Sequence, residues 1–209
     1  MLAIINYGGG NLGSVENACA YLGFAARTIT EPEGLEDATA VILPGQGAFG
    51  DCMNNLRSAG FEEPVKEWIS ADKPLLGICV GLQILFEGSV ESPGVPGLGI
   101  FEGVLDRFEP GDGRKVPQMG WNRCRIPSAS AAEGQLFAGV PDGSHFYFVH
   151  SFYAPLHPAA SAVADYGLEY TAAISRGRLH ATQFHPEKSQ THGKQLLRNF
   201  YQSTLQEIS

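Results

Sequence analysis

Pro74-Leu75-Leu76-Gly77-Ile78-Cys79-Val80-Gly81-Leu82-Gln83-Ile84-Leu85-Phe86 decides the fold. An apolar run of strand length ends in Gly-x-Cys-x-Gly, and a second apolar run follows without a break. Strand, tight turn and helix in that order form the nucleophile-elbow pattern, here with a thiol where a hydroxyl is usual. The spacing has a steric reason. A side chain at the tip of such a turn sits on strained backbone, and bulky neighbours two residues away would collide; glycine therefore stands at 77 and 81. The pattern predicts a buried strand over 74–78, a helical run over 82–86 and Cys79 at the tip of the tight turn between them. A helix N-terminus at this point favours anions and leaves the Val80 N–H to receive an oxyanion.

Upstream of the elbow the chain alternates. Residues 2–6 read as a short apolar strand ending in the glycine-rich loop 7–13. Ser14 is placed to cap a helix whose apolar positions Val15, Ala18, Cys19 and Leu22 follow helical spacing, with Gly23 closing it. Strands are expected over 24–29 and 40–43, and helices over 51–59 and 62–70. Short, largely apolar strands separated by helices predict an α/β fold with a doubly wound, mostly parallel sheet covered on both faces. After Gly88 the texture changes to glycine, proline and short segments (99–108, 116–126, 145–153, 160–166, 171–175 and 179–184) that suggest added antiparallel strands in the C-terminal half. A terminal helix from about Thr191 has Leu196, Leu197 and Phe200 to turn toward the core.

Composition sets the outer bounds. The 209 residues are 44% hydrophobic and 17% charged, and no linker interrupts them, so residues 1–209 are expected to form a single domain with a sizeable core. A net charge of −8 argues against a nucleic-acid surface. No apolar stretch approaches the ~20 residues of a membrane-spanning helix, and the N-terminus has no basic segment ahead of its apolar residues. Cys19, Cys52, Cys79 and Cys124 include no Cys-x-x-Cys pair, so neither a zinc site nor a disulfide framework is expected. These features predict a reduced, cytoplasmic, soluble protein needing no metal or cofactor.

A thiol nucleophile requires a base, and the base an orienting carboxylate. His185-Pro186-Glu187 supplies both on a segment read as extended, where residues two apart point the same way. His150, in the aromatic strand 146–152, is the rival base. Pro44-Gly45-Gln46-Gly47 follows the strand 40–43 at the sheet edge where ligands bind in α/β folds, and its flanking glycines let the Gln46 backbone turn an N–H inward as a second oxyanion donor. Cys19, Cys52 and Cys124 have no elbow and read as buried structural residues.

Taken together, these residues resemble the class I, triad-type glutamine amidotransferases. Tyr7-Gly-Gly-Gly-Asn-Leu-Gly-Ser-Val15, Leu43-Pro-Gly-Gln-Gly-Ala-Phe-Gly50, Pro117-Gln-Met-Gly-Trp-Asn122, Tyr147-Phe-Val-His-Ser151 and His185-Pro-Glu-Lys-Ser189 narrow the resemblance to the glutaminase subunits of imidazole glycerol phosphate synthases, and they span essentially the whole chain. The resemblance implies a Cys79-His185-Glu187 triad that hydrolyses glutamine through a cysteinyl thioester. It implies oxyanion donors from Val80 and the Gly45–Gln46 loop, and a glutamine pocket lined by Gly47, Gln83, Glu91, Ser151 and Phe152. It further implies a heterodimer with a (β/α)8-barrel cyclase that receives the ammonia at the fifth step of histidine biosynthesis, contacted through Asn11, Met119, Trp121, Asn122 and Lys188. Alternatives are a glutaminase serving another amidotransferase, a γ-glutamyl hydrolase, or a non-catalytic protein that keeps the fold. Gln46, Phe152 and Gly13 stand where valine, tyrosine and arginine are common in the family.

Overall fold

The computed structural model describes residues 1–111, 113–127 and 136–205. Its first half follows the predicted alternation: β1 (Leu2–Ile5), α1 (Leu12–Tyr21), β2 (Ala26–Ile29), β3 (Ala40–Gly45), α2 (Phe49–Ser58), α3 (Glu62–Ser70) and β4 (Leu75–Cys79). Next come the single-turn α4 (Val80–Gln83), β5 (Phe86–Ser89), β6 (Phe101–Arg107), β7 (Gln118–Arg125), β8 (His145–His150) and β9 (Phe152–Tyr153). The chain closes with β10 (Ala160–Asp165), β11 (Glu169–Arg176), β12 (Leu179–Thr182) and α5 (Gln190–Ser203). No described helix is long and apolar enough to cross a membrane.

Nine strands form one mixed sheet in the order β2-β1-β3-β4-β12-β11-β10-β7-β8, and β5, β6 and β9 form a smaller one. From β2 to β12 neighbouring strands run parallel; from β12 to β8 they alternate in direction. Every residue of β1, β3, β4 and β12 is buried, as expected of parallel strands covered on both faces. In β7, by contrast, Met119, Trp121 and Arg123 are exposed while Gln118 and Cys124 are buried, the period-two pattern of a strand wetted on one side. At the antiparallel end Phe146 and Phe184 stack at 4.1 Å, and the fully buried Tyr170 donates its hydroxyl to Gln118 at 2.9 Å. As predicted, α5 buries Leu196, Leu197 and Phe200.

Three local expectations are corrected. The helix expected from Ser14 begins at Leu12, so Ser14 lies inside its first turn, and Asn11 precedes it without a side-chain cap. The helical run expected over 82–86 stops at Gln83. Leu98 and Ile100 donate their N–H groups to Ile84 and Leu85, and Gly97 bonds the Glu87 carbonyl, so a neighbouring segment takes the carbonyls that a longer helix would need. Apolar content alone does not distinguish that strand from a helix. The segment 179–184, grouped with the antiparallel strands, forms β12 and lies parallel to β4, pairing Thr182 with Ile78. That register places the residues after β12 beside Cys79.

Two buried histidines give the fold an acid-sensitive limb. His180 Nδ1 lies 2.9 Å from the Ser175 hydroxyl, which donates to Ser161 at 3.0 Å. Burial, helped by Arg178, holds His180 down to about 4, and burial also holds His150 down to about 4. An unfolded chain takes up these protons near the ordinary value of 6.5. Protonation therefore favours unfolding as pH falls from about 6.5 to about 4, by roughly 1.4 kcal/mol per unit for each ring. Urea unfolding followed from pH 7 to pH 4.5 is expected to show declining stability. His180→Asn, which keeps a hydrogen-bonding nitrogen but does not titrate, is expected to decline less steeply.

Candidate active site

Four loops meet at the carboxyl edge of the parallel half, where the strand order reverses between β1 and β3 and where ligands settle in open α/β sheets. They follow β1, β3, β4 and β12. Cys79 ends β4 with φ 55° and ψ −110°, a conformation side-chain-bearing residues seldom adopt. The surrounding glycines are required by contact. A Cβ on Gly81 would stand 1.9 Å from the Leu43 carbonyl oxygen, one on Gly77 would meet the Gly81 oxygen at 2.7 Å, and one on Gly45 would meet the Gly81 nitrogen at 2.6 Å. The elbow is thus packed against β3 too closely for a side chain at any of these three positions. Because α4 is a single turn, little macrodipole stands behind the thiol; the local N–H groups of the turn are what it offers an anion.

His185 enters from the far end of the sequence. Its N–H donates to the Tyr147 carbonyl at 2.9 Å, and its own carbonyl accepts the Ser189 hydroxyl at 2.6 Å. Tyr147 in turn donates its N–H to Ser189 Oγ at 3.0 Å. Ser189 is fully enclosed and ties the histidine segment to β8, a positioning role that the sequence did not single out. Residues Pro186–Lys188 form a 3-10 turn rather than the extended segment expected, and the turn brings the two side chains into direct contact: His185 Nδ1 lies 2.8 Å from Glu187 Oε1. Burial works against charge on this imidazole, but Cys79 and Glu187 outweigh it and raise its pKa. The ring therefore holds a proton strongly while both partners face it. His185 Nε2 and Glu187 Oε2 are buried without a hydrogen-bond partner.

His150 behaves differently. Its Nδ1 lies 2.8 Å from the Phe152 carbonyl, which fixes the ring as the Nδ1–H tautomer, and burial keeps it neutral at physiological pH. Its Nδ1 is met by a backbone carbonyl, whereas His185 Nδ1 faces the Glu187 carboxylate, the orienting group a triad base requires.

A cavity of about 270 Å³ joins these groups, a size suited to an amino acid. Cys79, Val80, His185 and Gln46 line it, and so do all five expected pocket residues, Gly47, Gln83, Glu91, Ser151 and Phe152. Glu91 also accepts the Phe49 N–H at 2.8 Å, which ties it to the start of α2 just beyond the glycine loop. Gly47 has φ 99°, the region glycine tolerates. Gly45 completes β3 opposite Cys79. Tyr7 donates its hydroxyl to the Pro44 carbonyl at 2.8 Å, and Cys52 Sγ lies 3.3 Å from the Gln46 carbonyl. Cys19, Cys52 and Cys124 are buried, and burial pushes all three thiols up, Cys19 to about 11.

The expected contact residues divide. Asn11 and Lys188 line the cavity mouth. Met119 and Trp121 project from one face of β7, 65% and 48% exposed, with Trp121 edge-on to Tyr147. Asn122 is elsewhere: it alternates to the opposite face and donates to the Asp165 carbonyl on β10 at 2.8 Å. Gln183 was not anticipated. It is fully buried, and its side-chain nitrogen lies 3.8 Å from Cys79 Sγ. The only hint in the sequence is its place two residues ahead of His185.

Residues 4–204 match the family described as glutamine amidotransferase class-I. Among curated proteins, the chain is 49% identical over 201 residues to imidazole glycerol phosphate synthase subunit HisH of Methanothermobacter thermautotrophicus, covering 96% of this chain and 97% of that one. It is 44% identical over 207 residues to the subunit of the same name from Dehalococcoides mccartyi, covering 98% of each. Among solved structures, a glutamine amidotransferase aligns with a TM-score of 0.72 at 23% identity over 97% of this chain and 98% of that one. The PurLQS structure from Thermotoga maritima aligns at 0.71 and 18% identity over 100% and 98%, which extends the likeness in fold.

Proposed function

The chain belongs to the class-I glutamine amidotransferase family, and from that premise we propose how it works as the glutaminase subunit of an imidazole glycerol phosphate synthase. The observation that carries the assignment is similarity to such subunits along nearly the whole of both chains. The geometry supports the glutaminase half of that activity.

Glutamine occupies the cavity with its carboxamide carbon at Cys79 and its amino-acid end toward Gly47, Glu91, Ser151 and Phe152. His185 takes the thiol proton at Nε2 while Glu187 holds Nδ1–H, and the sulfur attacks the carboxamide carbon. The oxygen that gains the electron pair is met by the Val80 N–H and by an N–H of the Gly45–Gln46 loop. His185 passes its proton to the departing nitrogen, ammonia leaves, and a γ-glutamyl thioester remains. Water then attacks the thioester carbon as His185 accepts its proton; the carbon–sulfur bond breaks, the proton returns to sulfur and glutamate leaves.

The ammonia passes to a (β/α)8-barrel cyclase subunit in the cytoplasm, with residues 1–209 acting as one domain. Met119 and Trp121 are suited to anchor that partner, since exposed apolar and aromatic side chains on a rigid strand make effective contact points. Lys188 adjoins Glu187 at the cavity mouth and couples the contact to the triad. The test is to mix the chain with a matching cyclase barrel, supply glutamine and the ribotide substrate, and follow glutamate and imidazole glycerol phosphate together. Equal yields of the two products are expected. Glutamate formation at the same high rate without the barrel would point instead to a free-standing glutaminase.

A further inference from the structure

We propose that Gln183 is a further catalytic residue of this site: its side-chain amide donates a hydrogen bond to the Cys79 sulfur and supports the negative charge that sulfur carries before attack and again as it leaves. The inference rests on the reading of Cys79 as nucleophile and adds a contact to it. Gln183 is the first residue beyond β12, and the pairing of Thr182 with Ile78 sets it beside Cys79. Its N–H donates to the Ala172 carbonyl at 2.8 Å, so the residue is held from the antiparallel side of the sheet. The side chain is fully buried, with Nε2 3.8 Å from Sγ.

Which end of the amide meets the sulfur is dictated by its neighbours. Gln83 Nε2 lies 3.1 Å from the Phe152 carbonyl and 3.1 Å from Gln183 Oε1. A backbone carbonyl accepts and never donates, so Gln83 must turn its NH2 toward Phe152. Its second N–H then requires an acceptor, which Gln183 Oε1 provides. The Gln183 NH2 is left facing Cys79. Turning Gln183 alone would set its NH2 against that of Gln83, and turning both amides would set the Gln83 oxygen against the Phe152 carbonyl. A relay that begins at a backbone atom thus ends as a donor aimed at the reacting atom.

Such a donor acts selectively. A thiolate is a strong acceptor and a thioester sulfur a weak one, so the contact favours the states in which sulfur is anionic. Those states are the attacking thiolate and the leaving thiolate of the hydrolytic step. With α4 only one turn long, the Gln183 amide is an anion-directed group that does not depend on a helix.

The test uses the chain assembled with its cyclase partner and two variants, Gln183→Leu, which removes the donor, and Gln183→Glu, which keeps the shape. Cys79 alkylation by iodoacetamide is followed by mass spectrometry across pH, alongside glutamine kcat and KM and thermal unfolding. In both variants the alkylation profile is expected to move about one unit to higher pH. The kcat is expected to fall about tenfold to a hundredfold with KM little changed. An unshifted profile with wild-type kcat overturns the proposal, and so does a lowered unfolding temperature with an unshifted profile, which would make Gln183 purely structural. The alkylation readout does not depend on turnover. A shifted profile in an assembly that never releases glutamate would retain the sulfur contact and overturn the glutaminase reading instead.

Discussion

Cys79→Ala is expected to lower glutamine-dependent synthesis by at least about 10⁴-fold, because no other group on the cavity wall can form the thioester. The substitution suits the position structurally. Alanine meets the same backbone demand as cysteine at φ 55°, and it leaves the contacts among Gly45, Gly77 and Gly81 untouched. Stability is therefore expected to stay within about 1 kcal/mol of the parent, a range seen when no new strain or buried polar group is introduced. The measurement is a paired assay of the assembled synthase with glutamine or with ammonium salts as nitrogen source. Ammonia-dependent synthesis should survive, since it requires only the partner's chemistry. Loss of both activities would mean that Cys79 holds the assembly together rather than carrying the reaction.

The second large effect is expected at Glu187. Its Oε1 lies 2.8 Å from His185 Nδ1, and the side chain is almost wholly enclosed. Glu187→Gln keeps the shape and removes the charge. An amide can turn its nitrogen toward Nδ1 and so stabilise the wrong tautomer, leaving Nε2 protonated and unable to accept the thiol proton. A loss of about 10²–10⁴-fold in kcat is expected, with KM little changed. Burial lowers the His185 pKa, and Cys79 and Glu187 raise it; without the carboxylate the imidazole must titrate at lower pH. NMR of the His185 ring gives this directly. A titration point that stays put while activity falls would show that Glu187 acts on something other than this histidine.

The legible parts of the fold were those in which one local rule suffices. Buried parallel strands read as unbroken apolar runs, so β1, β3 and β4 could be found by content alone. The helical spacing of Leu196, Leu197 and Phe200 marked α5 for the same reason. Local pattern misleads where a distant segment competes for backbone hydrogen bonds. Residues 82–86 are as apolar as a buried helix, yet residues 97–100 capture their carbonyls and turn the run into the start of β5. Pro186–Lys188 departs from an extended chain for a similar reason: Ser189 accepts the Tyr147 N–H while its hydroxyl bonds the His185 carbonyl, curling the segment into a turn.

Asn122 and Gln183 show the same division at the level of side chains. Asn122 shares a motif with Met119 and Trp121, but strand alternation sends it to the other face, where Asp165 holds it. Gln183 has no motif spacing that marks it as reactive. Only the pairing of β12 with β4 brings its amide to the sulfur.

By itself the sequence determined that residue 79 would be a cysteine on a glycine-flanked turn, because steric exclusion around such a turn depends on neighbours a few residues away. It also determined that an imidazole and a carboxylate would lie two residues apart, since that spacing is covalent. The tertiary structure alone decided that the thiol and the imidazole line one cavity, with the carboxylate behind the imidazole. Cys79 and His185 are separated by more than a hundred residues of chain, and what unites them is the parallel register of β12 on β4, a set of long-range hydrogen bonds that no local pattern encodes.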